Sequence, residues 1–203
     1  MSVRVATMVA ALMAVGTAAA CGGNSNSSGE GAAQADKLFA KELDQAEGFR
    51  LSSPNFADGE ALPGRFTCDG TDISPALLFE GVPEGTRELA IVMEDPEAKI
   101  EGKARTVVHW IVTGLVPDTV GLPEDSVPEA AHVARNGDGV PRYEGPCPAE
   151  GDPPRTYRFT LYAMSGTTGS ELDANAAPEA LDAIAEMATA RTTLSVTYRR
   201  NPS

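Results

Sequence analysis

Turn-forming residues constrain this chain more than any other feature. From about Phe49 onward it is cut into short segments by Asp58-Gly59, Asp69-Gly70, Pro83-Glu84-Gly85, Asn136-Gly137 and Asp138-Gly139. Glycine reaches positive φ without steric cost, aspartate and asparagine tolerate it, and proline pre-sets φ, so each cluster ends whatever precedes it. Segments this short favour strands. Residues 89–93 form a continuous apolar run of strand length, as expected for a strand covered on both faces. Tyr157, Phe159, Leu161 and Ala163 alternate with Arg158, Thr160 and Tyr162, and Leu194, Val196 and Tyr198 alternate with Ser195, Thr197 and Arg199. Each alternation predicts a strand with one apolar face. One helix breaks the rhythm at residues 178–190, where Pro178 suits the first helical position, Glu179 complements the helix dipole, and Leu181, Ile184, Ala185 and Ala188 form a stripe. The expected fold is mainly β, with one helix before the last strand.

The first twenty residues read as an export signal: Arg4 is the charged region, residues 5–15 are apolar, and Gly16 to Ala20 are small. The apolar run is shorter than the roughly 20 residues needed to span a bilayer. Ala18-Ala19-Ala20-Cys21 resembles the bacterial lipobox, which makes Cys21 the expected lipidation site and first mature residue. Residues 22–35 are dominated by Gly, Asn, Ser and Ala, a composition expected of a flexible tether, and residues 36–48 carry a short helical pattern at Leu38, Phe39 and Leu43. The expected division is therefore a signal peptide over 1–20, a lipidated cysteine and tether over 21–48, and a folded domain over 49–203. That places the domain on the extracytoplasmic side of a bacterial cell membrane, held by its lipid. Such a compartment permits a disulfide between the remaining Cys68 and Cys147, although two separate buried thiols fit the sequence equally.

With 16 basic and 29 acidic residues, the chain has a formal net charge of −13. Nucleic-acid binding, which relies on clustered Lys and Arg, is not expected.

Three segments concentrate polar groups that a β-rich core does not need. Asp95 ends an apolar strand and is held extended by Pro96. His109 lies inside an apolar strand, on the expected Val107 and Ile111 face with Trp110 opposite, and its ring must find a polar partner there. Gly145-Pro146-Cys147-Pro148 is a stiff loop, since two prolines brace it and remove two amide donors. Tyr157 opens a strand soon afterwards. His132 reads as a surface loop residue.

The stretch 66–199 resembles the bacterial branch of the phosphatidylethanolamine-binding, or Raf-kinase-inhibitor-like, family. The resemblance is carried by Thr67-Cys68-Asp69-Gly70 with Ile73-Ser74-Pro75, by Glu84-Gly85-Thr86 leading into Ile91-Val92-Met93-Glu94-Asp95-Pro96, by Val108-His109-Trp110, by Gly145-Pro146-Cys147-Pro148, and by Tyr157-Arg158-Phe159-Thr160-Leu161-Tyr162-Ala163. It implies a β-sandwich-like core of two antiparallel sheets and a small anion pocket formed by Asp95, His109, Gly145, Pro146 and Tyr157. Two departures stand out. The family's Asp-Pro-Asp-Ala-Pro is Asp95-Pro96-Glu97-Ala98-Lys99, and its His-Arg-Tyr is Arg155-Thr156-Tyr157, which puts a permanent cation, Arg155, where a titrating histidine is usual.

The resemblance implies a binding or regulatory module for a small anion, phosphate or a phospholipid head group, with Asp95 favouring imidazolium at His109 and the loop amides turned toward the ligand. Inhibition of an extracytoplasmic serine protease is the alternative, and acid-base hydrolysis by Asp95, His109 and Tyr157 a third. No nucleophile elbow, metal-ligand cluster or cofactor motif accompanies them, so neither catalytic residues nor a cofactor is expected. A protein partner is not identified by the sequence.

Overall fold

The computed structural model describes residues 27–43, 46–100, 103–169 and 177–201. The expected leader and Cys21 lie outside them. A three-stranded sheet is built from β1 (Arg50–Ser52), β2 (Leu77–Glu80) and β7 (Gly121–Leu122), in the order β1-β2-β7. A five-stranded sheet contains β3 (Glu88–Asp95), β6 (Val107–Leu115), β8 (His132–Val133), β9 (Arg155–Met164) and β10 (Ala188–Tyr198), in the order β10-β9-β3-β6-β8. Strand pairing is antiparallel in both, and β4 (Lys99–Ile100) with β5 (Lys103–Ala104) forms a separate hairpin.

The sheets enclose one core. Phe49, Leu51, Leu77 and Phe79 meet Leu89, Ile91, Met93, Trp110, Val112, Phe159 and Leu161 there. A second core lies on the outer face of the large sheet, where Ala90, Val92, Val108, Ile111 and Tyr162 meet Ala180, Leu181 and Ile184 of α2 (Ala177–Met187). Strand β3 is thus buried at all eight positions, which is why its residues 89–93 are continuously apolar instead of alternating. The helix before the last strand is present but stops at Met187, because Ala188 already pairs with Met164 of β9. His132 stands on β8 and not in a loop.

The N-terminal segment differs from its expected character. Residues Ser27–Ala40 form a helix, α1, where composition suggested a tether up to residue 35. Ala35 and Leu38 are buried in the second core, Lys37 Nζ reaches Asp182 at 3.2 Å, and Lys41 Nζ donates to the carbonyls of Ala185 and Ala188. Small residues that cannot form a core alone can still fit closely against α2 and the sheet, and that docking offsets their ordering entropy. Among the described residues no helix is long and apolar enough to cross a membrane.

Candidate functional site

At one end of the large sheet β3, β6 and β9 bring Asp95, His109 and Tyr157 to a single cavity of about 410 Å³, whose lining also includes Asp72, Lys99, Asp138, Glu144, Gly145 and Arg155. Four of the expected site residues from separate stretches of chain therefore converge with Arg155. Pro146 is not among the lining residues, to which its loop contributes Cys147 and Pro148 beside Gly145.

A β-bulge aims the histidine. Met93 pairs with Trp110 and Glu94 with Val108, leaving His109 as the extra residue of β6. The insertion shifts the alternation, so Trp110 joins the inter-sheet core and Ile111 the outer core, contrary to the expected faces. His109 and Trp110 consequently both turn to the inner side. A carbonyl can only accept, so the 2.8 Å contact between His109 Nδ1 and Glu144 O puts the proton on Nδ1 and leaves Nε2 unprotonated in the neutral ring. The Tyr157 ring meets the imidazole edge-on, 5.5 Å between centroids.

Burial pushes the His109 imidazole below its ordinary value, against the opposing pull of the Glu144 carbonyl and the Asp95, Asp138 and Glu144 carboxylates. The expected imidazolium is therefore not the resting form at neutral pH. Asp95 cannot reverse this, because its Oδ2 takes Arg155 Nη1 at 3.2 Å and its Oδ1 takes the Glu97 amide at 2.8 Å. Arg155 also holds Asp152 at 2.7 Å, so its charge is shared between two carboxylates. Burial, with help from Asp95, raises the Tyr157 phenol well above its usual range and keeps it a neutral donor. Neither that hydroxyl nor the Lys99 ammonium has a partner among the described residues.

The Gly145 loop is pinned from several directions. A Cβ at Gly145 would come 2.3 Å from the Phe66 carbonyl, so only glycine fits. Its N–H donates to Asp72 Oδ1 at 2.7 Å and is spent within the fold, where a ligand contact was expected. Tyr143 Oη donates to Phe66 O, Cys68 N–H donates to Pro146 O, and Cys68 is bridged to Cys147 with 5.4 Å between Cα atoms. Buried Asn136 organises the loop further, donating to Glu144 Oε2 at 2.8 Å and accepting from the amides of Asp138 and Val140.

Asp72, Asn136, Glu144 and Lys99 were not marked by sequence as part of this site. Asp72 adopts φ 57°, a left-handed conformation that aspartate tolerates, but nothing near it in sequence signals a partner 73 residues away. Lys99 had a signal: it is where the resemblance departs from proline. Among the described residues no group of three or more His, Cys, Asp or Glu is placed to hold a metal ion.

Residues 52–199 match the family described as phosphatidylethanolamine-binding protein. LppC of Mycobacterium tuberculosis, named as a lipoprotein, is 40% identical over 119 residues, covering 59% of this chain and 57% of its own, less than two thirds of that relative's length. Among solved structures, the Chlamydia trachomatis homologue CT736 gives a TM-score of 0.68 at 29% identity, covering 77% of this chain and 100% of that one. YbcL of E. coli, described as a member of the mammalian PEBP family, gives 0.67 at 27% identity, covering 74% and 98%. With about three quarters of its length matched in sequence and in fold, the chain belongs to the phosphatidylethanolamine-binding protein family.

Proposed function

We propose that the protein is a binding or regulatory module for small anions, phosphate or a phospholipid head group, held on the extracytoplasmic face of the membrane by a lipid on Cys21. The lipoprotein name of its M. tuberculosis relative supports the anchor. The observation that carries the binding reading is the set of unspent donors at one cavity: the Tyr157 hydroxyl, the Lys99 ammonium and His109 Nε2 once protonated. Arg155 neutralises Asp95 and so lowers the local repulsion that an anion would meet. An anion beside Nε2 stabilises imidazolium, so binding takes up a proton in this scheme.

The scheme fixes the sign of the pH dependence. Because the free imidazole sits below its ordinary value, affinity strengthens as pH falls from 8 to 5.5, by up to about tenfold per unit between the free and bound pKa values. Sulfate is the suitable probe because its own charge is constant over this range. At about 100 times its Kd it should stabilise the fold by roughly 2.7 kcal/mol, a Tm rise of about 5–10 °C for a chain of this size. His109→Ala should remove the pH dependence, and Tyr157→Phe should weaken binding by roughly 2- to 10-fold, the loss of one hydrogen bond. Phosphoethanolamine beside phosphate distinguishes head-group from bare-anion recognition. Absence of saturable stabilisation by any of these at pH 5.5 would refute the reading.

A further inference from the structure

A second cavity, of about 680 Å³ and sharing no residue with the first, runs between β1 and the middle of β10. Buried Leu51, Phe56 and Leu194 contribute its apolar lining. Both strands are terminal in their sheets, so each has an edge without a neighbouring strand among the described residues. The chain itself covers part of the β10 edge. Gly59 N–H donates to Ser195 O, Leu62 N–H donates to Thr197 O, and Thr197 N–H donates to Glu60 O, each at 2.8 Å, while Ala61 bridges Thr197 in parallel.

This strap ends at Asp58. Its carboxylate accepts the Ser195 N–H at 2.7 Å, standing in for a strand carbonyl. Backbone groups alternate in direction along a strand, so Thr193 presents its N–H and C=O on the same side as Ser195 and Thr197. Neither has a partner among the described residues, and Thr193 lines the cavity. Proteins ordinarily blunt such an edge with charge, proline or a covering segment; here the cover stops one pairing short of the groove. Arg50, exposed on the β1 wall, has no ion-pair partner among the described residues, while Asp58 and Glu60 of the strap line the groove as carboxylates.

We propose that this groove binds an extended polypeptide segment of a partner protein, which adds to the Thr193 edge of β10 as a strand, with an acidic residue toward Arg50 and a basic one toward Asp58 and Glu60. Main-chain hydrogen bonds supply affinity in such strand addition, and flanking pockets supply specificity. The volume lies within the roughly 300–1,000 Å³ of ligand sites.

The test uses the full chain and two fluorescently labelled, capped peptides, Glu-Val-Thr-Val-Lys and Lys-Val-Thr-Val-Glu, because the added strand can run either way. At least one should bind saturably by anisotropy and slow hydrogen exchange at the Thr193 amide at least tenfold. N-methylation of its central threonine should weaken binding at least tenfold, and Arg50→Glu at least threefold, with sulfate-induced stabilisation unchanged by Arg50→Glu. The proposal is overturned if neither peptide binds at millimolar concentration, or if N-methylation has no effect. It is equally overturned if the chain self-associates and protects Thr193 without peptide, since a second copy is then the occupant.

Discussion

Glu94 has no exposed surface, and neither of its oxygens has a hydrogen-bond partner among the described residues. Arg158 Nε stands 3.2 Å from Oε1, close enough for ion pairing but without hydrogen-bond geometry. Burial pushes the carboxyl up to about 8, with Arg158 opposing. The folded state thus holds a proton that the unfolded chain releases near 4.5. Stability from this group is full below that value, falls as pH rises toward 8 and is level above it. Glu94→Gln, which imitates the protonated form, should be nearly neutral at pH 5. At pH 9 it should stabilise by about 2 kcal/mol, a figure reduced from full linkage because the amide leaves Arg158 without its partner charge. Thermal melts at the two pH values measure this, and equal effects at both would contradict it. Residues of this kind explain what sequence can disclose. Asp95 is marked by the proline after it, and Gly145 by its braced loop. The charge state of His109 and the spending of the Gly145 amide on Asp72 depend on burial and on loops distant in sequence, and no local pattern records either.

Among the elements, the strands were legible wherever alternation or an unbroken apolar run revealed how many faces are covered, as in β3, β9 and β10. The single extra residue at His109 was not legible. A bulge leaves composition unchanged while moving every later side chain of β6 to the other face. Helix α1 was legible only toward its end, at Leu38 and Phe39, and the part before residue 36 was missed for another reason: its propensity is weak, and docking supplies the stability. Leu38, fully buried against the large sheet and α2, tests that account. Leu38→Ala should cost about 2–4 kcal/mol through lost burial and a residual cavity, or roughly 5–15 °C in Tm. Sulfate affinity should be unchanged, because the helix shares no residue with the anion cavity. A Tm within 2 °C of the parent chain would mean that α1 docks too loosely to contribute.

Across the whole molecule, the Cys68–Cys147 bridge closes a loop of 79 residues that contains β2 through β8, tying the segment after the first core residues to the wall of the anion cavity. Cross-linking over that separation restricts the unfolded chain, and removing such a bridge ordinarily costs about 2–4 kcal/mol. The cavity wall has other restraints: the Asp72 carboxylate on the Gly145 amide, the Tyr143 hydroxyl on the Phe66 carbonyl, and the Cys68 amide on the Pro146 carbonyl. These act within the folded state, whereas the bridge acts largely on the unfolded one. The two contributions are therefore separable. The Cys68→Ala, Cys147→Ala double variant should melt markedly lower than the parent, yet bind sulfate within about threefold of its affinity at temperatures where both are folded. Titration calorimetry at 15 °C beside thermal melts reads the two quantities independently. A large loss of affinity with little loss of stability would mean that the bridge, and not the surrounding hydrogen bonds, holds the wall in its binding shape.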